Sequence, residues 1–117
     1  MNVAEAAEHL RGRLAAAAAQ AAAREVRGGY ASDLLSDVIA NSNEGDLWIT
    51  MQRHVNTIAV AQLRGLAGIV LVNGREPEPE AAARAEAESI PIISTELSAF
   101  DAVGTLFALG VRGRRQA

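Results

Sequence analysis

Four short polar clusters carry the residue types that could do chemistry: Ser32 and Asp33; Thr50, Gln52, Arg53, His54 and Asn56; Asn73, Gly74, Arg75 and Glu76; and Ser94, Thr95 and Ser98. Among them His54 is the natural general base or hydrogen-bonding group near neutral pH. Asp33 and Asp37 lie four apart, a spacing that would put them on one helical face and suit acid–base work or a hard cation; it equally suits a solvated, capped helix start. Arg75, beside Gly74, offers the planar fork of donors that holds a phosphate or a carboxylate. With only His9 and His54 and no cysteine, a metal site would need carboxylates at a spacing that is not present, so no metal is expected. Nothing here supplies a nucleophile with its base.

Three absences narrow the chemistry further. The chain has no G-x-x-x-x-G-K-[ST] loop for a nucleoside triphosphate, no G-x-G-x-x-G dinucleotide fingerprint and no G-x-S-x-G nucleophile elbow. It contains no lysine, and all eleven basic residues are arginine. The expectation is therefore a chain that is not an enzyme and carries no cofactor.

What must position the clusters is an alternation of strands and helices. A helix is predicted over Val3 to Leu10, with Val3, Ala6, Ala7 and Leu10 on one face. Leu14 to Ala23 is almost entirely Leu and Ala; propensity favours a helix, although Gly12 interrupts it, and helix and strand both stay open for Ala15 to Ala23. Val26 to Tyr30 reads as a strand with permissive glycines, and Leu34 to Ala40 as a short helix. Leu47 to Met51 reads as a strand, and a helix through Val55, Ile58, Ala59, Leu63 and Leu66 is predicted to close at Gly68. Ile69 to Val72 is an aliphatic run of the kind found in a strand covered on both faces. Glu76 to Glu88 is helical, with its prolines at the start, and Ile90 to Ile93 is a strand. Ser98 to Asp101 has the spacing of a capping box opening a last helix that stops at Gly110. These elements imply one α/β domain over residues 1–110 with a mostly parallel sheet of four to five strands flanked by helices. Residues 111–117 are expected to be a flexible basic tail.

Parallel strands send their carboxyl ends to one edge. The predicted site is that edge, with Ser32, Asp33, Thr50, Gln52, His54, Asn73, Arg75 and Thr95 as its ligand-binding residues and Arg75 and His54 as contacts to an anionic group. Polar caps occur in any such βα turns, so the edge also has a purely structural explanation.

Bulk properties bound the partners. Half of the 117 residues are hydrophobic but only 3% are aromatic, so the core must be built from small aliphatic side chains. The net charge of −3, with mixed signs, argues against nucleic acid and anionic membranes as partners. The longest apolar run, Leu14 to Ala23, is too short to span a bilayer, and with no cysteine the expected location is cytoplasmic. An apolar last helix carrying Phe100, Val103, Leu106, Phe107 and Leu109 predicts a homodimer.

The segments Arg24 to Val38, Gly45 to His54, Val70 to Pro77 and Ile90 to Thr95, in that order and spacing, resemble stand-alone DRTGG domains. These are similar to the amino-terminal domain of HPr kinase/phosphorylase and to the DRTGG domains of phosphotransacetylases and family II pyrophosphatases. The resemblance implies a three-layer α/β fold, dimerisation and a regulatory role involving adenine nucleotides; it implies no kinase activity, because the phosphate loop is missing. Gln52-Arg53-His54 stands where related domains often carry a Gly-Asp-Arg-like turn, and Asn73-Gly74-Arg75 replaces a glycine-rich one. The expected function is a non-catalytic regulatory module that binds a small anionic ligand, a nucleotide among the candidates, or docks on a metabolic or redox enzyme. The alternative is a purely structural interaction subunit with no small-molecule ligand.

Overall fold

A computed structural model describes residues 1–114. The chain opens with α1 (Val3–His9), fixed by a capping box in which the Asn2 side chain accepts the Glu5 N–H and the Glu5 carboxylate accepts the Asn2 N–H, both at 2.9 Å. The Ala-rich stretch then resolves into β1 (Arg13–Ala16), a left-handed residue at Ala17 (φ 52°) and a 3₁₀ turn over Ala18–Ala23. Tertiary pairing overrides the helical preference of alanine here, because Arg13 to Ala16 complete the sheet against the last strand.

Four strand–helix pairs follow: β2 (Gly28–Ala31) and α2 (Leu35–Asn41), β3 (Asp46–Thr50) and α3 (Asn56–Arg64), β4 (Gly68–Leu71) and α4 (Pro79–Glu88), β5 (Ile92–Ser94) and α5 (Ala99–Ala108). The sheet order is β1-β5-β4-β3-β2, with β2 to β5 parallel and β1 antiparallel to β5. Several expected boundaries shift, three of them for a visible local reason. Gly65, not Gly68, ends α3, because its positive φ of 63° is the conformation that a helix stop needs and that glycine adopts without a Cβ penalty. Gly68 instead begins β4, where a Cβ would come within 2.9 Å of the Pro91 carbonyl. The helix expected from Glu76 starts at Pro79, the position where a missing N–H costs nothing.

The four parallel strands advance in one direction across the sheet, so their three crossover helices share a face. On that face Trp48, Ile69, Leu71 and Ile92 pack with Val38 of α2, Ile58 and Ala61 of α3, and Ala81 and Ala85 of α4. On the other face Leu47, Ile49, Val70, Val72 and Ile93 pack with Val3, Ala6, Ala7 and Leu10 of α1 and with Ala102 and Leu106 of α5. Alternation along each strand thus feeds two cores, and the architecture is three layers, helix, sheet, helix. Leu106 belongs inside, whereas Phe100, Val103, Phe107 and Leu109 of the same helix are exposed.

The segment expected to be a loose tail is held as far as Arg114. The Arg112 carbonyl accepts the Gly29 N–H of edge strand β2 at 3.1 Å, and the Arg114 guanidinium reaches the Asp46 carboxylate at 2.7 Å and the Glu44 carbonyl. Gly28 makes this fit possible: a Cβ there would stand 2.7 Å from both the Arg114 Nε and the Asp46 carboxylate. Arg115, Gln116 and Ala117, the rest of that expected tail, lie outside the described residues.

Asp46 is 1% exposed, and its other oxygen accepts the Asn43 N–H at 2.8 Å. Removing its cation leaves a buried carboxylate short of one partner, a loss reduced here because the arginine is partly solvated. Arg114→Ala is expected to lower the unfolding free energy by about 1–2 kcal/mol, measured by urea denaturation. An unchanged denaturation midpoint would show that the ion pair contributes nothing.

Candidate functional site

The parallel register brings the carboxyl ends of β2, β3, β4 and β5 to one edge, in adjacent order. Antiparallel β1 begins at the same edge, so the turn after α1 joins it. Because β2 to β5 advance in one direction, no switch point lies among them, and the crevice that such a point opens in other α/β sheets is not formed between these strands.

At the β2–β3 end the polar residues are tied to one another. The Thr50 hydroxyl and the Met51 N–H donate to one Asp33 oxygen, both at 2.8 Å. The Gln52 amide donates to the Asp33 carbonyl at 2.8 Å, and the Gln52 N–H to the Thr50 hydroxyl at 3.1 Å. The Ser32 hydroxyl accepts the Leu34 N–H, and its carbonyl accepts the Nε1–H of buried Trp48 at 2.8 Å. This cluster frames a depression of about 230 Å³ with an apolar floor of Ile49 and Val72. It offers an acid rather than a cation to a ligand.

Towards β4 and β5 the residues part company. Thr95 is 2% exposed, and its hydroxyl donates to the Leu10 carbonyl at 2.7 Å, stapling α1 to the sheet edge. Its backbone carbonyl accepts the Gly74 N–H at 2.8 Å. Asn73 and Gly74 both have positive φ (59° and 69°), and Glu96 lies over Gly74 so closely that a Cβ there would meet its carboxylate at 2.5 Å. His54 is exposed, and its Nδ1 accepts the Asn56 N–H at 3.1 Å at the start of α3. Arg53 reaches the Glu76 carbonyl, and Arg13 pairs with the Glu76 carboxylate, which also accepts the Ser94 hydroxyl at 2.9 Å. Arg75 is exposed and makes no side-chain hydrogen bond or ion pair among the described residues.

Of the eight expected residues, Ser32, Asp33, Thr50 and Gln52 come together, Thr95 is spent on the fold, and His54 accepts the N–H of the first residue of α3. Asn73 donates to the Met51 sulfur at 3.3 Å, and Arg75 stands apart. Asp33 and Asp37 do not form a pair, because Asp33 lies before α2 and turns towards Thr50. Asp37 turns the other way, accepting the Tyr30 hydroxyl and the Asn41 amide, both at 2.8 Å. Sequence reasoning passed over Arg11, the other described arginine with no partner; its signal is an arginine at φ 52° directly after a helix, where glycine is the usual choice. No group of three or more His, Cys, Asp or Glu able to hold a metal occurs among the described residues, and no described helix is long and apolar enough to cross a membrane.

A three-layer α/β module, its edge polar groups mostly satisfied internally and one helix face left apolar, is the class of protein that this geometry defines. The chain belongs to the DRTGG domain family, which it matches over residues 5–109. Among curated proteins nothing matches. Among solved structures it is similar to the CBS and DRTGG domains of the regulatory region of Clostridium perfringens pyrophosphatase, a crystal structure complexed with the activator diadenosine tetraphosphate. The TM-score is 0.64 at 15% identity, and the likeness covers 89% of this chain and 48% of that one, so this chain spans about half its length. The shared feature at that identity is the fold.

The Tyr30–Asp37 contact has a consequence in pH. Hydrogen bonds from Tyr30, Asn41 and Ser32 hold the Asp37 carboxyl below its ordinary value of 3.8, so its contribution is present above that pH and is lost as pH falls through the lower folded value. Burial, together with the same contact, raises the Tyr30 hydroxyl above 10.0, so that contribution is lost as pH rises through the higher folded value. The stability difference between the parent and Tyr30→Phe is expected to be constant at neutral pH and to shrink at both extremes, read from urea titrations between pH 2 and 11. A difference that does not change with pH would break the assignment.

Proposed function

We propose that this chain is a non-catalytic regulatory module that responds to a small anionic ligand, a nucleotide among the candidates, at the carboxyl edge of its sheet, and that it works as a cytoplasmic homodimer. The single observation that carries the reading is an edge with, among the described residues, no catalytic pairing but an arginine, Arg75, that has no side-chain partner, in a chain of the DRTGG family. Supporting it, the similar regulatory region was crystallised with a dinucleoside polyphosphate activator, and a cysteine-free chain fits a reducing compartment. A three-layer fold like that of the HPr kinase amino-terminal domain is part of the same proposal.

Dimerisation rests on α5. Phe107 and Val103 are 54% and 39% exposed and line a concavity of about 470 Å³ with Ala99 and Gly104. On its other side Phe107 carries the Arg112 guanidinium stacked 3.6 Å from its ring centroid, so the ring is held in place at the surface. A second copy of this helix, apolar and free of lysine, is the occupant that matches such a face. Light scattering at micromolar concentration is expected to give twice the 12.2 kDa chain mass for the parent and one chain mass for a folded Phe107→Glu variant. A parent at 12.2 kDa overturns the dimer.

The ligand is tested by a thermal-shift screen of nucleotides and other phosphorylated anions, where saturation at 100 times the dissociation constant adds roughly 2.7 kcal/mol. Arg75→Ala and His54→Ala are each expected to weaken a binder found in this way without changing the stability of the free protein. A flat screen would leave the interaction-subunit reading, for which the exposed α5 face is the supporting observation.

A further inference from the structure

Arg11 and Arg75, the two arginines with no side-chain partner among the described residues, lie in turns that meet in the fold. Thr95 joins their turns, its hydroxyl bound to the carbonyl of Leu10 and its carbonyl to the N–H of Gly74, the residues that precede Arg11 and Arg75. Beyond Arg11, between the carboxyl end of α1 and the first turns of α5, lies an open surface cavity of about 570 Å³. Its wall includes Leu97, whose carbonyl accepts the Asn73 N–H at 2.8 Å, so the cavity opens beside the turn that carries Arg75.

The residues around this space form two ends of different character. At one end stand His9 and Arg11. Arg11 is fixed by its own N–H to the Glu8 carbonyl at 3.0 Å and by the following Gly12 N–H to the Ala7 carbonyl at 2.8 Å. That helix stop demands a left-handed residue, a conformation that costs a non-glycine side chain about 1 kcal/mol. The chain therefore holds a cation at this point against a local cost and gives it no partner within the described residues. At the other end is Phe100, 87% exposed, with Gly104 one turn on. A Cβ at Gly104 would meet no heavy atom within 4 Å, and Phe100 and Gly104 also line the α5 concavity, so this end borders the proposed dimer face. Asp101 lines the same cavity, with its N–H already bound to the Ser98 hydroxyl at 3.1 Å.

We propose that this α1–α5 cavity is a nucleotide site, in which Arg11 and His9 take the phosphate, Phe100 stacks on the base and Asp101 accepts from a ribose hydroxyl or a ring amine. The ligand class follows from the mixture. The Arg11 guanidinium favours a phosphate through charge-assisted hydrogen bonds, and the His9 imidazole beside it adds a further hydrogen-bonding group. The Asp101 carboxylate disfavours a bare polyanion, and an open aromatic face favours a planar base, an interaction worth about 1–3 kcal/mol where it is measured with single strands. The inference rests on the anionic-ligand reading above and extends that ligand's site from Arg75, across the turn joined by Thr95, to Arg11 and the space between α1 and α5.

The test is calorimetric titration of the full chain with AMP, ATP, adenosine and inorganic phosphate. AMP or ATP is expected to bind about ten-fold or more tightly than phosphate. Arg11→Gly and Phe100→Ser are each expected to weaken nucleotide binding by about ten-fold. Arg11→Gly separates binding from folding, because glycine suits φ 52° and its thermal stability should equal or exceed that of the parent. Nucleotide binding unchanged in both variants but lost in Arg75→Ala would overturn this site and leave the anionic-ligand reading standing. Phosphate binding as tightly as AMP would overturn the nucleotide assignment, and no binding of any of the four at millimolar concentration would overturn both.

Discussion

One constraint organises the molecule: four parallel strands laid down in a single direction send every crossover to the same face of the sheet. The faces are therefore covered by different means. The crossovers α2, α3 and α4 cover the first and connect the strands at no extra cost in chain length. The second can be covered only by the chain ends, α1 before the first parallel strand and α5 with the segment after it after the last. The division between a face covered by crossovers and a face covered by the chain ends follows from this winding.

The second face shows how the sequence meets that demand with few aromatic residues. α1 turns Val3, Ala6, Ala7 and Leu10 to the sheet, and small side chains let its axis lie close enough for the Leu10 carbonyl to meet Thr95. α5 contributes Ala102 and Leu106 and leaves its large residues outside. The β2 margin lies beyond the reach of both helices, and residues 111–114 close it. Gly28 and Gly29 are the complement of that closure: Arg114 and Asp46 occupy the space of one Cβ, and the Val111 side chain would stand 3.3 Å from the other. Edge strand β2 is thereby guarded by the chain's own carboxyl segment at Gly29.

The parts legible in the sequence were those with a local cause. Ile69 to Val72 has the aliphatic run of a covered strand and Val3 to Leu10 carries a helical stripe, whereas the helix expected from Glu76 begins only at Pro79. The parallel order of β2 to β5 also followed from strand–helix alternation. Parts whose cause is distant were not legible. Leu14 to Ala23 has one local preference and a different fate, because pairing with β5 decides it. Gly28 read as a flexible strand residue, yet it is needed for a contact with Arg114 on the far side of the chain. Phe100, Val103, Leu106 and Phe107 look alike in sequence, and only the sheet beneath α5 separates the inward Leu106 from the rest.

The same distinction explains why most of the expected edge residues are occupied by the fold. Ser, Thr, Asn and Asp are enriched in strand–helix turns because they satisfy backbone groups that the turn exposes, and most of those here do that. Asp33 gathers the Met51 N–H, Thr95 gathers the Leu10 carbonyl, and His54 gathers the Asn56 N–H. A hydroxyl or carboxylate bonded in this way has little capacity left for a ligand. Arginine behaves otherwise, since it contributes no turn geometry of its own and its five donors need acceptors from somewhere. Every other described arginine finds one in this fold, from the Glu76 partner of Arg13 to the Asp46 partner of Arg114. Arg11 and Arg75 do not, and both lie where the chain ends meet the carboxyl edge. Among the described residues, the hydrogen-bonding capacity that the fold leaves uncommitted at this edge is therefore concentrated at Arg11 and Arg75.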